Sequence, residues 1–286
     1  MKAVIMGYLE GIIAILCINL IFAYGVFLTA ASGQLNLGGG GFQALGAYVA
    51  GVCSNSLEVP IFISVIAGII GAGVVGFLLS FPVLRTKGVY MVLATFAFAL
   101  VVSGIILNSD FLGGATGMSV PAYLPVNGLI FSAIGVVLLV FWIMASRIGL
   151  AMRSIHDDDL VSEIMGINVR GFQVFAFTLG GALAGFSGAL YAHHYSFIEA
   201  QYFSALLSIF VLLYVLIGGT QTAWGPLIGA SFFTLIPELL RVGDTEWRYV
   251  IFGVLIVFMM IFRPEGIVTR TLVHRIGTTF SRNRGH

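Results

Sequence analysis

Charge is what this chain lacks. Only 9% of its 286 residues are charged, against 59% that are hydrophobic, whereas a soluble domain carries about 25% charged residues. The mean hydropathy is +1.07. So little polar material cannot cover a surface facing water, where exposed apolar area costs about 25 cal/mol per Å². The chain needs lipid as its solvent, which excludes a soluble enzyme, a nucleic-acid-binding domain and a disordered linker. Cysteine is also scarce. Cys17 and Cys53 both fall in apolar runs and are expected to be small buried hydrophobes, with neither a disulfide framework nor a zinc site. No Cys/His cluster has metal spacing and no catalytic group is expected. A Gly-x-x-x-x-Gly-Lys-Ser/Thr loop is absent, so any nucleotide must be bound elsewhere.

What is present is apolar sequence, end to end. A bilayer core of about 30 Å needs about 20 helical residues. Spans are expected near Gly11–Ala31, Gly41–Ser54, Pro60–Leu84, Val89–Leu107, Gly128–Ser146, Phe172–Ala192, Ala205–Gly218, Pro226–Leu240 and Tyr249–Phe262. The expectation is an all-α polytopic membrane protein of eight to ten helices, one domain over residues 1–286. Unbroken apolar runs exclude a porin-like barrel, whose strands alternate with period two. The second and seventh spans are short and adjoin Gly38-Gly39-Gly40-Gly41 and Gly218-Gly219, the mark of broken or re-entrant helices. The N-terminal apolar stretch exceeds a secretory h-region and begins with Glu10, so it is expected to stay as the first helix.

Ten of the 13 Lys and Arg residues lie in three places: Arg85 and Lys87; Arg147, Arg153 and Arg170; and Arg263, Arg270, Arg275, Arg282 and Arg284. These regions are expected on the cytoplasmic side. The Asn108–Asn127 connection, which has no Lys or Arg, is expected outside, and nine spans then leave the C-terminus inside and the N-terminus outside. No Asp, Glu, Lys or Arg falls centrally in a span, which argues against a proton- or sodium-coupled carrier. His193-His194 reads as an interfacial pair rather than a ligand pair.

Small residues recur four apart at Gly25, Thr29 and Gly33, at Gly68, Ala72 and Gly76, and at Gly180, Ala184 and Gly188, a spacing that lets helix backbones approach. The four consecutive glycines cost a helix about 1 kcal/mol each relative to alanine, while Gln34, Asn36 and Gln43 nearby offer hydrogen bonds. A hinge or pathway wall and a tight turn are both open readings. In the connection after the fifth span, Asp157-Asp158-Asp159 suits a helix N-terminus and Gly166 its stop. Between them Leu160 with Ile164, and Val161 with Met165, form one apolar face at i,i+4. So short a helix is unstable alone and needs something to dock on: a partner protein, its own bundle or the lipid surface.

The runs Ala151-Met152-Arg153-Ser154-Ile155 and Ser162-Glu163-Ile164-Met165-Gly166-Ile167-Asn168 resemble the coupling loop of branched-chain amino acid ABC transporter permeases. Also similar to that family are Gly33-Gln34-Leu35-Asn36-Leu37-Gly38, Leu84-Arg85-Thr86-Lys87-Gly88-Val89-Tyr90, Leu112-Gly113-Gly114-Ala115-Thr116-Gly117-Met118, Trp224-Gly225-Pro226-Leu227 and Arg263-Pro264-Glu265-Gly266. They stand in the family's order over nearly the whole chain. The second and third tip the likeness toward the M-type of two paired permeases. One departure is the dense acidic run Asp157–Asp159, which bears on partner specificity.

The resemblance implies an ABC importer permease fold in a bacterial inner membrane, half of the pathway for branched-chain amino acids. Implied partners are a second permease, two cytoplasmic ATPases and an external substrate-binding protein. Implied too is that ATP and Mg are held by the ATPases, with no cofactor on this chain. Sister systems carry urea, amides or aromatic carboxylates, and an ATPase-independent channel or carrier is the contrasting class. The ATPase-coupling interface is expected at Arg153, Asp159, Leu160, Val161, Glu163, Ile164, Met165 and Gly166, within a cytoplasmic loop of about 147–171. The substrate path is expected at Gly39, Gly40, Gly41, Phe42, Gln43, Tyr90, Thr95 and Phe96, on two stretches facing the bundle interior.

Overall fold

The computed structural model describes residues 2–239 together with positions 253, 254 and 257. In chain order the helices are α1 (Lys2–Ala31), α2 (Gly39–Ser56), α3 (Ile61–Val83), α4 (Val89–Leu107), α5 (Val126–Ala145), α6 (Arg147–Asp157), α7 (Asp159–Ile164), α8 (Val169–Tyr195), α9 (Ala205–Gly218) and α10 (Trp224–Leu239). Among the described residues the only sheet is a ribbon of β1 (Met118–Ser119) and β2 (Phe197–Ile198), antiparallel with Met118 opposite Ile198. The protein is an all-α polytopic membrane protein.

Among the described residues, five helical stretches are long and apolar enough to cross a bilayer: Gly7–Ala31, Ile61–Val83, Val89–Leu107, Val126–Ala145 and Val169–Tyr195. The spans expected at Val89–Leu107 and Ala205–Gly218 have those same bounds in α4 and α9. Three expected spans are lesser segments. α9 and α10 have 14 and 16 residues, and α2 is diluted by glycine, Gln43, Ser54, Asn55 and Ser56. The expected span Tyr249–Phe262 and the tail from Arg263 lie outside the described residues, save for positions 253, 254 and 257.

The basic groups around Lys87 and Arg153 come together, while the third, from Arg263 onward, lies outside the described residues. Lys87 Nζ lies 3.1 Å from the Asp159 carboxylate, and His156 Nδ1 is 3.0 Å from the Ala30 carbonyl, so the end of α1, the α3–α4 turn, α6 and α7 share one basic end. At the opposite end the Val120 and Leu124 amides donate to the Ser196 and His193 carbonyls. There His193 and His194 place Nδ1 at 3.1 and 2.9 Å from the carbonyls of Ala122 and Leu124. The histidine pair thus grips a loop.

Helix α8 is the axle, packed along α1, α2 and α3. Its small residues permit this. A Cβ on Gly180 would meet the Gly25 carbonyl at 2.6 Å, and one on Gly188 would run into the Gln43 carbonyl. With lipid on the outside there is no hydrophobic drive between helices, so close backbone approach and dispersion hold such a crossing. Around it Phe22, Phe27, Phe42 and Phe177 are fully buried.

Candidate functional site

Two places stand out, and the first is the break between α1 and α2. After α1 the chain turns at Ser32 and Gly33, runs without helix through Leu37, and begins α2 at Gly39. This break sits inside the bundle. Its backbone meets α4 at Thr95, six residues past Val89, which is about 9 Å along that helix. Non-helical backbone at that depth must find partners within the protein. Three side chains supply them. Thr95 Oγ1 accepts the Leu37 amide at 3.0 Å, Asn36 Oδ1 accepts the Gly38 amide at 2.7 Å and Ser208 Oγ accepts the Gly40 amide at 2.7 Å. A third helix, α9, is thereby tied to the N-terminus of α2.

Gly39, Gly40, Gly41, Phe42, Gln43 and Thr95 are all buried here, as expected for an inward-facing stretch. Phe42 is a packing wedge, its ring 4.7 Å from Phe98 and 5.8 Å from Phe177. Gln43 Oε1 and both polar atoms of the Gln34 side chain are buried with no hydrogen-bond partner. Such groups are costly, about 1–3 kcal/mol each, and concentrate at functional positions. Phe96 is half-buried, whereas Tyr90 does not face inward. It is 75% exposed, on the side of α4 turned away from the bundle, while Met91 next to it in the same turn is buried. Ser208 was not foreseeable: nothing local to α9 marks it, and only tertiary contact brings it to Gly40.

The second place is the connection at the basic end. It holds two helices where the sequence announced one. α6 is amphipathic, burying Gly149, Met152 and Ile155, and Ser146 caps it by accepting the Ile148 amide at 3.2 Å. Arg153 belongs to α6 and donates from Nη2 to the Met144 carbonyl at the end of α5. It anchors the connection and stands apart from the exposed group expected with it. The acidic run divides accordingly: Asp157 ends α6, Asp158 caps α7 and Asp159 opens it.

Helix α7 has six residues, too few to persist alone, and it is held by its ends. Asp158 Oδ1 accepts the Leu160 and Val161 amides at 2.9 and 3.0 Å. At the other end Ile167 donates to the Ser162 carbonyl and Gly166 to that of Glu163, a paired stop that needs the left-handed backbone of Gly166 (φ +84°). One side is pinned where buried Ser162 meets the Ser154 hydroxyl at 2.8 Å. The other side is bare. Leu160, Val161, Ile164 and Met165 are exposed, Ile164 at 85% and Met165 at 78%, and Glu163 stands among them. Burying one such side chain fully is worth about 1.5–3 kcal/mol, so this knob leaves a large binding surface uncovered.

A family model described as "Branched-chain amino acid transport system / permease component" matches residues 8–260. The high-affinity branched-chain amino acid transport system permease protein LivM of Escherichia coli K12 is 30% identical over 277 residues, 84% of this chain and 65% of that protein. The LivM protein of Salmonella typhimurium is 29% identical over the same shares. A probable branched-chain amino acid transport permease protein, LivH, of Methanocaldococcus jannaschii is 25% identical over 91% of each chain. The chain spans about two-thirds, 65%, of the length of the two LivM relatives. No solved structure matches it. With membrane helices, a break inside the bundle and a family match over most of its length, this chain belongs to the branched-chain amino acid transport permeases.

Proposed function

We propose that this chain is one permease of an ABC importer for branched-chain amino acids, forming half of a translocation pathway with a second permease. Two ATPases on the cytoplasmic side bind and hydrolyse ATP with Mg, and an external binding protein delivers the cargo. The basic end faces the cytoplasm of a bacterial inner membrane, since Lys and Arg are retained on that side, and the C-terminus lies there too.

The observation that carries this reading is the uncovered apolar face of α7. A helix lying on anionic lipid is rich in Lys and Arg on its polar side, but α7 offers Asp159 and Glu163. That pairing of apolar and acidic side chains suits a protein groove. An ATPase gripping Leu160, Val161, Ile164 and Met165 shifts the permease only if its ATP-bound form favours one permease conformation over another. The attachments of the knob offer a route for that bias. Ser154 joins it to α6, which His156 ties to α1 and Arg153 to α5. Lys87 reaches it from the turn before α4, and Thr95 on α4 holds the broken segment. The substrate path then runs past Gly39, Gly40, Gly41 and Gln43, where movement of α4 or α9 would open the break.

The test is uptake by the assembled importer in vesicles carrying Gly166→Pro or Glu163→Lys. Proline cannot adopt the backbone of Gly166 and removes its amide donor. Both variants are expected to insert normally yet lose uptake at least tenfold. Wild-type uptake in both would overturn the assignment of α7.

A further inference from the structure

At the basic end, where α6 leaves α5 and passes the start of α8, an open groove of about 330 Å³ is lined by Ile148, Asn168, Gly171, Phe172 and Phe175. Two arginines flank it. Arg147 directly precedes Ile148 and Arg170 directly precedes Gly171, so each Cα lies about 3.8 Å from that of a lining residue. Both arginines are exposed. Arg153 adds a third guanidinium on α6, donating to the Met144 carbonyl at the end of α5. The acidic run is further off. Asp157 is nine residues beyond Ile148, about 14 Å along α6, and Glu163 stands with the exposed face of α7.

Helix lengths set the depth of this groove. α8 has 27 residues, about 40 Å of helix, against a hydrocarbon core of about 30 Å. Centred on that core, α8 keeps Arg170 at headgroup level, Phe172 at the boundary and Phe175 about 4 Å inside. α5 has 20 residues, about 30 Å and so the thickness of the core. Arg147, two residues past its end, therefore sits at headgroup level too. The groove starts among headgroups and ends in hydrocarbon, where Phe175 is 39% exposed.

A water-borne partner does not reach that deep end, whereas a lipid chain is already there. The charge has the matching sign. Helix α7 combines apolar with acidic side chains, but this groove combines apolar with basic ones, which attract anionic lipid. A guanidinium also presents paired donors to phosphate oxygens. We propose that the groove holds an anionic phospholipid, its phosphate between Arg147 and Arg170 and one acyl chain along Ile148, Phe172 and Phe175. So seated, the lipid braces α8 against α6, to which α7 is pinned through Ser154. The site needs only the membrane setting of this chain, and neither its cargo nor its ATPases.

The experiment offers the full chain, purified in detergent, equal amounts of dioleoyl phosphatidylglycerol and dioleoyl phosphatidylcholine, and weighs the bound lipid by native mass spectrometry. The wild type is expected to retain the anionic lipid about tenfold over the zwitterionic one. Arg147→Gln combined with Arg170→Gln should erase that preference and leave phosphatidylcholine retention unchanged. Phe175→Ser, which keeps both arginines, should lower phosphatidylglycerol retention about threefold, and it carries the test if the double variant does not fold. Equal retention of the two lipids by the wild type overturns the site. So does an undiminished preference in the double variant or, should that variant not fold, wild-type retention in Phe175→Ser. An undiminished preference joined to failure of the double variant to co-purify with its ATPases would assign the groove to a protein instead.

Discussion

The crossing of α8 with α1, α2 and α3 and the knob of α7 use opposite strategies for apolar residues. In the crossing, side chains are small, and backbone meets backbone at Gly180 and Gly188. Nothing else could fit, so the contact is complete and leaves no surface for a partner. In the knob, side chains are large, and Leu160, Val161, Ile164 and Met165 are exposed. Its stability comes from polar devices at its ends. The buried crossing is therefore finished within the chain, whereas the knob leaves its apolar face uncovered.

The largest effect expected is at Gly188. Gly188→Leu drives a side chain into the Gln43 carbonyl, where only backbone movement makes room, and overpacking costs typically 1–3 kcal/mol or more. Solubilised protein should be lost or melt many degrees lower by fluorescence-detected chromatography. A wild-type melting profile would mean that the tight crossing does not support the fold.

Next comes the knob itself. Ile164→Asp with Met165→Asp should abolish uptake without lowering the melting temperature, since both side chains face away from the bundle. A large drop in stability would break the comparison by showing that the face is already covered. Asp158→Ala should be milder. Losing an N-cap costs about 0.5–2 kcal/mol, felt as faster hydrogen exchange at the Leu160 and Val161 amides and partial loss of uptake. The smallest effect should be Lys87→Ala. The ion pair with Asp159 is 81% exposed on the lysine side, and surface pairs contribute about 0–1 kcal/mol. Melting should stay unchanged, and any effect on uptake should fade in high salt.

Much of the knob was legible because its signals are local. Asp158, Gly166 and the i,i+4 apolar pairs act within one helical turn, and the structure places each where its chemistry requires. α6 was harder to see, since its buried face of Gly149, Met152 and Ile155 includes a glycine and is interrupted by Arg153. The break at Gly38–Gly41 was visible as a cost, but its partners were not. Thr95 and Ser208 lie 58 and 168 residues from the amides they accept, and no local pattern links them. Tyr90 shows the reverse error. Its stretch was expected to face inward, yet a helix turns by 100° per residue, and Tyr90 and Thr95 end on different sides of α4.

By itself the sequence determined that this chain lives in lipid, that its helices meet through small residues, that one end is basic, and that a short apolar helix projects from a connection. Composition and spacing within a turn or two are enough for those, because solvent, helix period and capping act at short range. Only the tertiary structure decided that Ser208 and Thr95 hold the break inside the bundle. That arrangement joins side chains from helices far apart in sequence, and packing alone brings them to hydrogen-bonding range.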